Sequence, residues 1–282
     1  MSAFESYYQG IWGTRWPELK ASLLKAEKQV LRWNQWESLD LKNTEFFIGG
    51  CALRADDFAG PQRSQAGLLD CYVMDPASVM VARALPVKDG DLVLDLCAAP
   101  GGKTLVLLEN LKTSGEIVAN ELSGERRARL QKVIQNYVPR EIRERVWVKG
   151  QDGSLWGMKQ PNHFEAVLLD APCSGERHLL ANAEELAHWS PKRSEGLAHR
   201  QYALLCSAWM STVSGGYFLY STCSLNPVEN DYVIKKFLKK KSGFKILKPA
   251  TEIQAEGAEH GQMFMPDKLG FGPLYFCLMQ KD

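Results

Sequence analysis

The segment from Leu92 to Thr104 (LVLDLCAAPGGKT) constrains the fold more than any other part of this chain. Its first five residues form a short apolar run, which is typical of a buried parallel strand. A loop of small residues follows from Cys97 to Gly102, and a helix begins at Lys103. A strand, a glycine turn and a helix N-terminus in this order direct backbone N–H groups towards a ligand.

The loop alone does not fix which ligand it binds. Gly102, Lys103 and Thr104 imitate the end of a phosphate-binding loop, but Cys97 stands where the first glycine of that motif belongs. A phosphate-binding loop is therefore a poor match. A tight turn with no ligand remains the alternative at this point.

The chain after Leu92 alternates apolar runs with helical patterns, as successive βαβ units require. We expect an α/β fold at residues 71–282, preceded by a small helical and irregular accessory segment at residues 1–70 that packs on it and faces the substrate. The predicted strands are 45–50, 92–96, 116–121, 145–150, 164–170, 216–222, 244–247 and 274–280. The predicted helices are one beginning at Trp16 and those at 76–85, 103–112, 123–136, 195–213 and 227–241.

Composition narrows the class of protein. The net charge is +1, so any surface for a polyanion must come from local clustering. Two basic runs, Arg126–Lys149 and Lys235–Lys248, slightly favour such a surface over ordinary solvated helix faces. Four of the eight tryptophans lie in the first 36 residues, where packing is a better explanation than base stacking.

Several kinds of site and location are not indicated. The chain has no apolar run of 18 residues and no leader-like start, so we expect no membrane contact. It fits a bacterial cytoplasmic protein and a processed mitochondrial one equally. The seven cysteines are scattered, which is typical of reduced thiols, and their spacing gives no metal site.

Polar residues follow the predicted strands where each one ends, at the edge where open parallel sheets bind ligands. Glu121 lies about twenty residues after the glycine loop, the spacing at which a carboxylate binds the two hydroxyls of a ribose. Asp152 and Gly153 form a turn that could meet an adenine amine. A glycine loop with a ribose acid fits NAD or S-adenosylmethionine, and the unspaced Pro-Gly-Gly favours the ligand without a pyrophosphate, S-adenosylmethionine.

Two cysteines, Cys173 and Cys223, follow adjacent predicted strands, each with a hydroxyl residue beside it. Such a pair suits methylation at carbon 5 of a pyrimidine, because a thiolate added at carbon 6 makes carbon 5 nucleophilic. A carboxyl group such as Asp170 stabilises the adduct, and a base must then remove the carbon-5 proton. The base must leave its stack to be reached.

The motifs that carry these residues resemble those of the RsmB/Nop/Sun-type RNA cytosine-5 methyltransferases over residues 70–282. The chain is most similar to the mitochondrial ribosomal-RNA branch of that family. The resemblance implies a class I S-adenosylmethionine-dependent methyltransferase sheet with a terminal antiparallel strand. The matching motifs are Asp75–Ser78, Asp95–Thr104, Asp170–Gly175 and Tyr220–Asn230, and the likeness to the branch adds Tyr7–Tyr8, Trp16–Pro17, Tyr137–Pro139, Arg177–His178 and Gly272–Cys277.

The resemblance also implies roles for individual residues. Cys223 would be the nucleophile, Cys173 would help resolve the adduct, and Asp170 would contact both the cytosine and the methyl donor. The expected cofactor-binding residues are Cys97, Ala98, Ala99, Pro100, Gly101, Gly102, Lys103, Glu121, Arg126, Asp152, Gly153 and Asp170. Glu121 is a departure, because the branch has aspartate there.

Ribosomal RNA is the first expectation for the substrate and tRNA the second. With no appended RNA-binding module visible, the accessory segment, the basic runs or a partner protein would select the RNA. A DNA cytosine-5 methyltransferase, a non-catalytic RNA-binding assembly factor and a small-molecule methyltransferase are less favoured, because none of them needs both cysteines.

Overall fold

A nine-stranded sheet forms the centre of the protein, and a three-stranded antiparallel sheet stands beside it. The computed structural model describes residues 2–37, 45 and 47–282. The strands are β1 Val30–Trp33, β2 Ala52–Leu53, β3 Cys71–Met74, β4 Leu92–Asp95, β5 Glu116–Asn120, β6 Val146–Lys149, β7 Phe164–Asp170, β8 Thr212–Thr222, β9 Phe244–Leu247, β10 Glu256–Gly257, β11 Gln262–Phe264 and β12 Leu274–Lys281.

The helices surround these sheets and connect the parallel strands. They are α1 Ala3–Trp12, α2 Trp16–Leu24, α3 Pro76–Ala84, α4 Gly102–Asn110, α5 Gly124–Tyr137, α6 Arg140–Arg143, α7 Trp156–Lys159, α8 Glu176–Ala181, α9 Ala183–Ala187, α10 Pro191–Ser211, α11 Asp231–Lys240 and α12 Pro266–Leu269. Short 3-10 turns lie at Gly13–Arg15 and Gly153–Leu155.

The central sheet has the mostly parallel order that the alternating pattern predicts. Strands β8, β7, β4, β5 and β6 are parallel neighbours in that order, and β12 joins β8 in the antiparallel direction. Successive residues face opposite sides of the sheet. Val93 therefore belongs to one apolar core, with α3, α4 and α5, whereas Leu94 belongs to the other, with α10 and α11.

Local signals set the helix starts correctly. The Asp75 side chain accepts a hydrogen bond from the Ala77 N–H at the start of α3 (3.2 Å), and the Ser123 hydroxyl caps α5 in the same way. Because such side chains satisfy N–H groups that have no partner within the helix, they fix where it begins.

Several expectations about elements were wrong. Residues 227–230 form a loop and not the start of α11, because the Asn230 side chain bonds to Thr222 and to the Ser224 carbonyl. The region from 30 to 74 contains β1, β2 and β3, which the sequence analysis did not predict. Helix α10 begins at Pro191 rather than at 195 and ends at Ser211, because strand β8 begins at Thr212 rather than at 216. The strand expected at 45–50 includes Phe46, which lies outside the described residues.

The N-terminal helices contribute aromatic rings to the core that contains Leu94. Tyr8 stacks on Trp16 at 4.9 Å between centroids, and Phe4 meets Trp189 edge-on at 5.0 Å. Arg15 adds ion pairs of 2.7 Å to Glu256 and Asp267. Trp16 thus has a packing role, as the sequence favours.

Candidate active site

The carboxyl ends of β4, β5, β7 and β8 meet at one edge of the sheet. The chain runs outward from β4 through β5 to β6 and then returns to β7 on the other side of β4. A reversal of this kind leaves a crevice beyond the strand ends, which is where open α/β sheets bind ligands.

The loop from Cys97 to Lys103 forms one wall of this crevice and needs its two glycines. Gly101 has a φ of +120°, a conformation that side chains rarely adopt. A Cβ atom on Gly102 would lie 2.8 Å from the Tyr72 ring. The guanidinium of Arg126 donates to the Ala99 carbonyl (2.8 Å), which fixes the loop from outside.

Two cavities flank the loop, and Cys97 lines both of them. The first, about 210 Å³, combines the loop with β3, α3 and the end of β7; its lining includes Tyr72, Ser78, Asp95, Ala98, Ala99, Pro100, Gly101, Gly102, Lys103 and Asp170. The second, about 290 Å³, lies past the end of β5; its lining is Leu96, Asn120, Glu121, Leu122, Ser123, Arg126, Gly153, Pro172, Arg200 and Leu204. A ligand that spans both cavities would pass over Cys97.

Glu121 presents a free acceptor to the second cavity. Its side chain is buried, and Oε1 accepts a hydrogen bond from the Ser123 N–H (2.9 Å). Oε2 lies 3.4 Å from Nη1 of Arg126 without hydrogen-bond geometry, so this buried oxygen has no hydrogen-bond partner among the described residues. Because a buried carboxylate oxygen is costly to leave unpaired, a ligand hydroxyl is a fitting partner.

Asp152 and Gly153 differ in how they relate to this cavity. Gly153 lines it, but Asp152 does not. The Asp152 carboxylate accepts hydrogen bonds from the N–H (3.0 Å) and hydroxyl (2.8 Å) of Ser154, which lower the pKa of Asp152. Its present contacts are therefore those of a turn cap.

Lys103 and Asp170 form an ion pair at the centre of the edge. Lys103 Nζ donates to Asp170 Oδ2 (2.8 Å) and to the Ser78 hydroxyl (3.0 Å), while the Ser221 hydroxyl donates to Asp170 Oδ1 (2.8 Å). Burial lowers the pKa of Lys103, but the Asp170 carboxylate and the nearby Asp75 together outweigh burial, and the net pKa is raised. Lys103 therefore stays cationic beside the crevice.

The two cysteines lie in direct contact. Sγ of Cys173 is 2.7 Å from Sγ of Cys223 and also accepts a hydrogen bond from the Cys223 N–H (3.2 Å). Cys223 is exposed and Cys173 is half-buried. The contact with Cys223, followed by burial, raises the pKa of Cys173 well above its ordinary value. Cys173 is thus a thiol at neutral pH, next to an accessible sulfur.

Cys97 and Thr104 have structural contacts. Burial raises the pKa of Cys97, so this thiol is a poor nucleophile. The Thr104 hydroxyl donates to Oδ2 of buried Asp95 (2.6 Å). A phosphate-binding loop would instead direct that hydroxyl to a metal-bound phosphate.

Sequence reasoning missed several residues of the crevice. Tyr72 and Ser78 come from β3 and α3, before the glycine loop, and Arg200 comes from α10. Ser221 lies within the Tyr220–Asn230 motif, but the sequence assigned no role to its hydroxyl. Ser78 had a signal, because it ends the Asp75–Ser78 motif, but nothing in the local pattern pointed to Arg200.

Comparison with known proteins identifies the family. A model of the 16S rRNA methyltransferase RsmB/F family matches residues 82–280. The chain belongs to this family. It is 32% identical to the 5-cytosine rRNA methyltransferase NSUN4 of Mus musculus, over 99% of this chain and 87% of that protein. It is 33% identical to the mitochondrial tRNA (cytosine(34)-C(5))-methyltransferase of Danio rerio, over 82% and 66%.

The fold agrees with that membership. The crystal structure of NSun6 from Pyrococcus horikoshii with SFG superposes with a TM-score of 0.80 at 19% identity, covering 100% of this chain and 98% of that one. The predictions of the family and of the α/β fold with its terminal antiparallel strand are confirmed. The chain is a methyltransferase whose cofactor is S-adenosylmethionine, as predicted.

The residues present fit that cofactor. The unpaired Glu121 oxygen suits a ribose hydroxyl, and the tight glycine loop at the start of α4 suits a small carboxylate on backbone N–H groups. Within residues 2–37, 45 and 47–282, no group of three or more His, Cys, Asp or Glu residues could hold a metal ion. No helix of that part is long and apolar enough to span a membrane.

Proposed function

We propose that this RNA cytosine-5 methyltransferase forms a covalent bond between Cys223 and carbon 6 of its target cytosine, and that the target is in ribosomal RNA. The observation that carries the mechanism is the contact between the sulfurs of Cys173 and Cys223, beside the Lys103–Asp170 pair. Neither a small-molecule methyltransferase nor an assembly factor has a use for two touching thiols at the ligand edge.

The first step uses the exposed sulfur. The Cys223 thiolate adds to carbon 6, and the electrons of the C5–C6 double bond shift towards carbon 5 and the ring carbonyl. Lys103 and Asp170 lie at the same edge and support this adduct by hydrogen bonds to the ring oxygen, N3 and the exocyclic amine. When bound, S-adenosylmethionine supplies the electrophilic methyl group that carbon 5 accepts.

The second step uses Cys173. Once Cys223 is a neutral thioether, its hydrogen bond and charge no longer raise the pKa of Cys173, although burial still does. Cys173 then loses its proton to solvent. The Cys173 thiolate then takes the proton from carbon 5. The electrons of that C–H bond re-form the C5–C6 double bond, the C6–S bond breaks, and the Cys223 thiolate leaves.

Substitution of each cysteine tests this assignment. We expect Cys173→Ala to accumulate a covalent complex with RNA and S-adenosylmethionine, seen as a band of reduced mobility on a denaturing gel. We expect Cys223→Ala to give none, while it binds the cofactor with unchanged affinity. If the covalent complex is lost in Cys173→Ala and retained in Cys223→Ala, the two roles are reversed.

Ribosomal RNA is favoured by the family description and by the NSUN4 relative, whereas the Danio rerio relative makes tRNA the second candidate. A groove of about 650 Å³ between the accessory segment and the first basic run supports RNA contact on that side. Its lining includes Trp36, Gln65, Arg140 and Arg143. We place RNA selection on this segment, residues 1–70, with a partner protein as the other source.

The substrate class has its own test. Bisulfite sequencing of ribosomal RNA and tRNA from cells with and without the gene should show one unconverted cytosine in ribosomal RNA that disappears with the gene. Loss of a tRNA site alone would reassign the substrate. The relatives include mitochondrial and bacterial proteins, so the compartment follows from the RNA that is found.

A further inference from the structure

A ring of four polar side chains lies behind the two cysteines. Each cysteine is followed in sequence by a serine, Ser174 or Ser224, and the two serine hydroxyls are 3.2 Å apart. The Ser224 hydroxyl is 2.7 Å from Glu176 Oε1, and the Ser174 hydroxyl donates to Glu229 Oε1. Longer contacts of 3.3 and 3.4 Å join each serine to the other carboxylate and close the ring.

The carboxylates also hold the backbone of both cysteine loops. The N–H of Ser174 donates to Glu229 Oε2 (3.0 Å), and the N–H of Leu225 donates to Glu176 Oε2 (2.9 Å). Glu176, which follows Cys173 in sequence, therefore accepts a hydrogen bond from the backbone after Cys223. Glu229, which follows Cys223, accepts one from the backbone after Cys173. This exchange couples the position of Cys173 to that of Cys223.

The ring is buried and contains two carboxyl groups. Glu176 and Glu229 are each 0% exposed, and neither is in an ion pair with a basic residue among the described residues. Burying carboxylates without a cation is costly, and it is tolerated only where several donors satisfy them. Because such an arrangement adds little to the stability of the fold, its presence here calls for a functional explanation.

One further donor comes from the accessory segment. The Tyr8 hydroxyl on α1 donates to Glu176 Oε1 at 2.5 Å, from a position 168 residues earlier in the sequence. Its ring is 0% exposed and is held between Trp16 and Phe4. The N-terminal helix thus reaches the carboxylate that holds the Cys223 loop.

We propose that Tyr8, Ser174, Ser224, Glu176 and Glu229 are positioning residues that fix the two sulfurs relative to each other for the covalent steps. This rests on the proposed function of Cys223 and Cys173. None of the five lines either cavity beside the glycine loop, so cofactor binding does not depend on them. Removal of one hydrogen bond of the ring therefore slows formation of the covalent bond at Cys223 and leaves the cofactor site intact.

Matched pairs of variants test this inference. Tyr8→Phe removes only the hydroxyl from the ring, and Tyr275→Phe removes an equally buried hydroxyl that donates to the Asp231 carboxylate (2.6 Å), outside the ring. Ser224→Ala has its control in Ser207→Ala. Ser207 lies on α10, and its buried hydroxyl accepts a hydrogen bond from the Gly157 N–H on α7 (2.9 Å), outside the ring. The substrate is an RNA with 5-fluorocytosine at the target position, in which fluorine blocks the final proton removal.

The readouts separate positioning from folding. We expect Tyr8→Phe and Ser224→Ala to slow covalent capture at saturating RNA and S-adenosylmethionine by about tenfold or more, because small misplacements of reacting atoms have large effects on rate. The RNA concentration that gives half-maximal capture rate and the cofactor Kd, measured by calorimetry, should stay within about twofold, a range that one lost contact would exceed. The controls should lower the unfolding temperature to a similar extent and capture RNA at the parent rate.

Each outcome has one meaning. Capture at the parent rate by Tyr8→Phe and Ser224→Ala would overturn the positioning role, as would equal slowing in their controls. If Tyr8→Phe does not fold, Ser224→Ala decides alone. If the parent protein itself captures no RNA through Cys223, the proposed function fails, whatever the variants do.

Discussion

The sulfurs of Cys173 and Cys223 lie 2.7 Å apart although they are 50 residues apart in the chain. The contact follows from the pairing of Asp170 on β7 with Ser221 on β8, since both cysteines come two or three residues after that pair. The parallel pairing of β7 and β8 therefore brings the two thiols into contact. Cys223 is exposed, whereas Cys173 is half-buried and its pKa is raised, so the two sulfurs suit different steps.

Alkylation should report that difference directly. We expect iodoacetamide to modify Cys223 at least about tenfold faster than Cys173 at pH 7.5, because the thiolate is the reactive form and Cys173 stays protonated. Peptide mapping by mass spectrometry gives both rates from one sample. Buried Cys277 is the internal control and should remain unmodified. Faster labelling of Cys173 would contradict the assignment of Cys223 as nucleophile.

Glu121 should dominate cofactor affinity at the ribose end. Loss of a buried, charged hydrogen-bond acceptor costs about 1.5–3 kcal/mol, so Glu121→Gln should weaken S-adenosylmethionine binding by about 10-fold to 100-fold. Glu116→Gln is the matched control, because Glu116 is exposed at the opposite end of the same strand. Calorimetric titration measures both. An unchanged Kd in Glu121→Gln would remove this residue from the cofactor site.

Asp95 should make stability depend on pH. Burial, opposed by the Thr104 hydrogen bond and assisted by the nearby Asp170 carboxylate, raises the pKa of Asp95 from 3.8 to about 7. The folded state therefore holds a proton that the unfolded state releases near pH 4. This contribution is complete below about pH 4 and is lost as the pH rises through 7.

The variant Asp95→Asn isolates that effect. From pH 5 to pH 8, the free energy of unfolding of the parent should fall by about 2–3 kcal/mol relative to Asp95→Asn. Urea titrations at four pH values measure the difference. Parallel pH profiles for the two proteins would show that Asp95 is ionised in the folded state at all of these pH values.

Loss of one partner of the buried ion pair between Arg32 and Glu109 should destabilise the protein more than replacement of both partners by apolar residues. Their side chains are 3% and 4% exposed and lie 2.7 Å apart, joining β1 to α4. We expect Glu109→Gln to destabilise the protein by about 3–5 kcal/mol, because Arg32 is left as an unpaired buried charge. The double variant Arg32→Met with Glu109→Leu should recover most of that loss in urea unfolding. A double variant as unstable as the single one would contradict the charge explanation.

The exposed cations of α5 should contribute to RNA binding. Arg129 and Lys132 are exposed on that helix, and reversing both to Glu should weaken RNA binding and lower the slope of log K against log salt by about 1.4 or more. Cofactor binding should not change. Lys88 and Lys112 are the controls, because they precede β4 and β5 at the other edge of the sheet. Equal losses in both pairs would indicate a general charge effect.

Local sequence signals sufficed for the parallel sheet and the cofactor loop. Apolar runs bounded by glycine placed β4, β5 and β7 within one residue, and Gly101 and Gly102 revealed the loop because only glycine fits there. Glu121 followed from its distance along the chain. These features depend on contacts within one βαβ unit, which a local pattern encodes.

The remainder depended on contacts between distant segments. Strand β1 contains a buried Arg32 that looks like a surface residue until Glu109 is brought to it. Residues 227–230 were expected to begin a helix, yet the Glu229 carbonyl accepts a hydrogen bond from Tyr220 on β8 and the Asn230 side chain donates to the Ser224 carbonyl. Asp152 occupies the expected strand end, but which way its carboxylate points depends on Ser154. A single sequence gives no signal for such pairings.

The bond from Tyr8 to Glu176 also sets an order of events in folding. A contact across 168 residues closes late, because the cost of bringing distant segments together must be met before the contact stabilises them. The glycine loop and Glu121, by contrast, are brought together within the single βαβ unit of β4 and β5. A folding chain should therefore acquire a place for its cofactor first and become chemically competent only when its N-terminal helix docks.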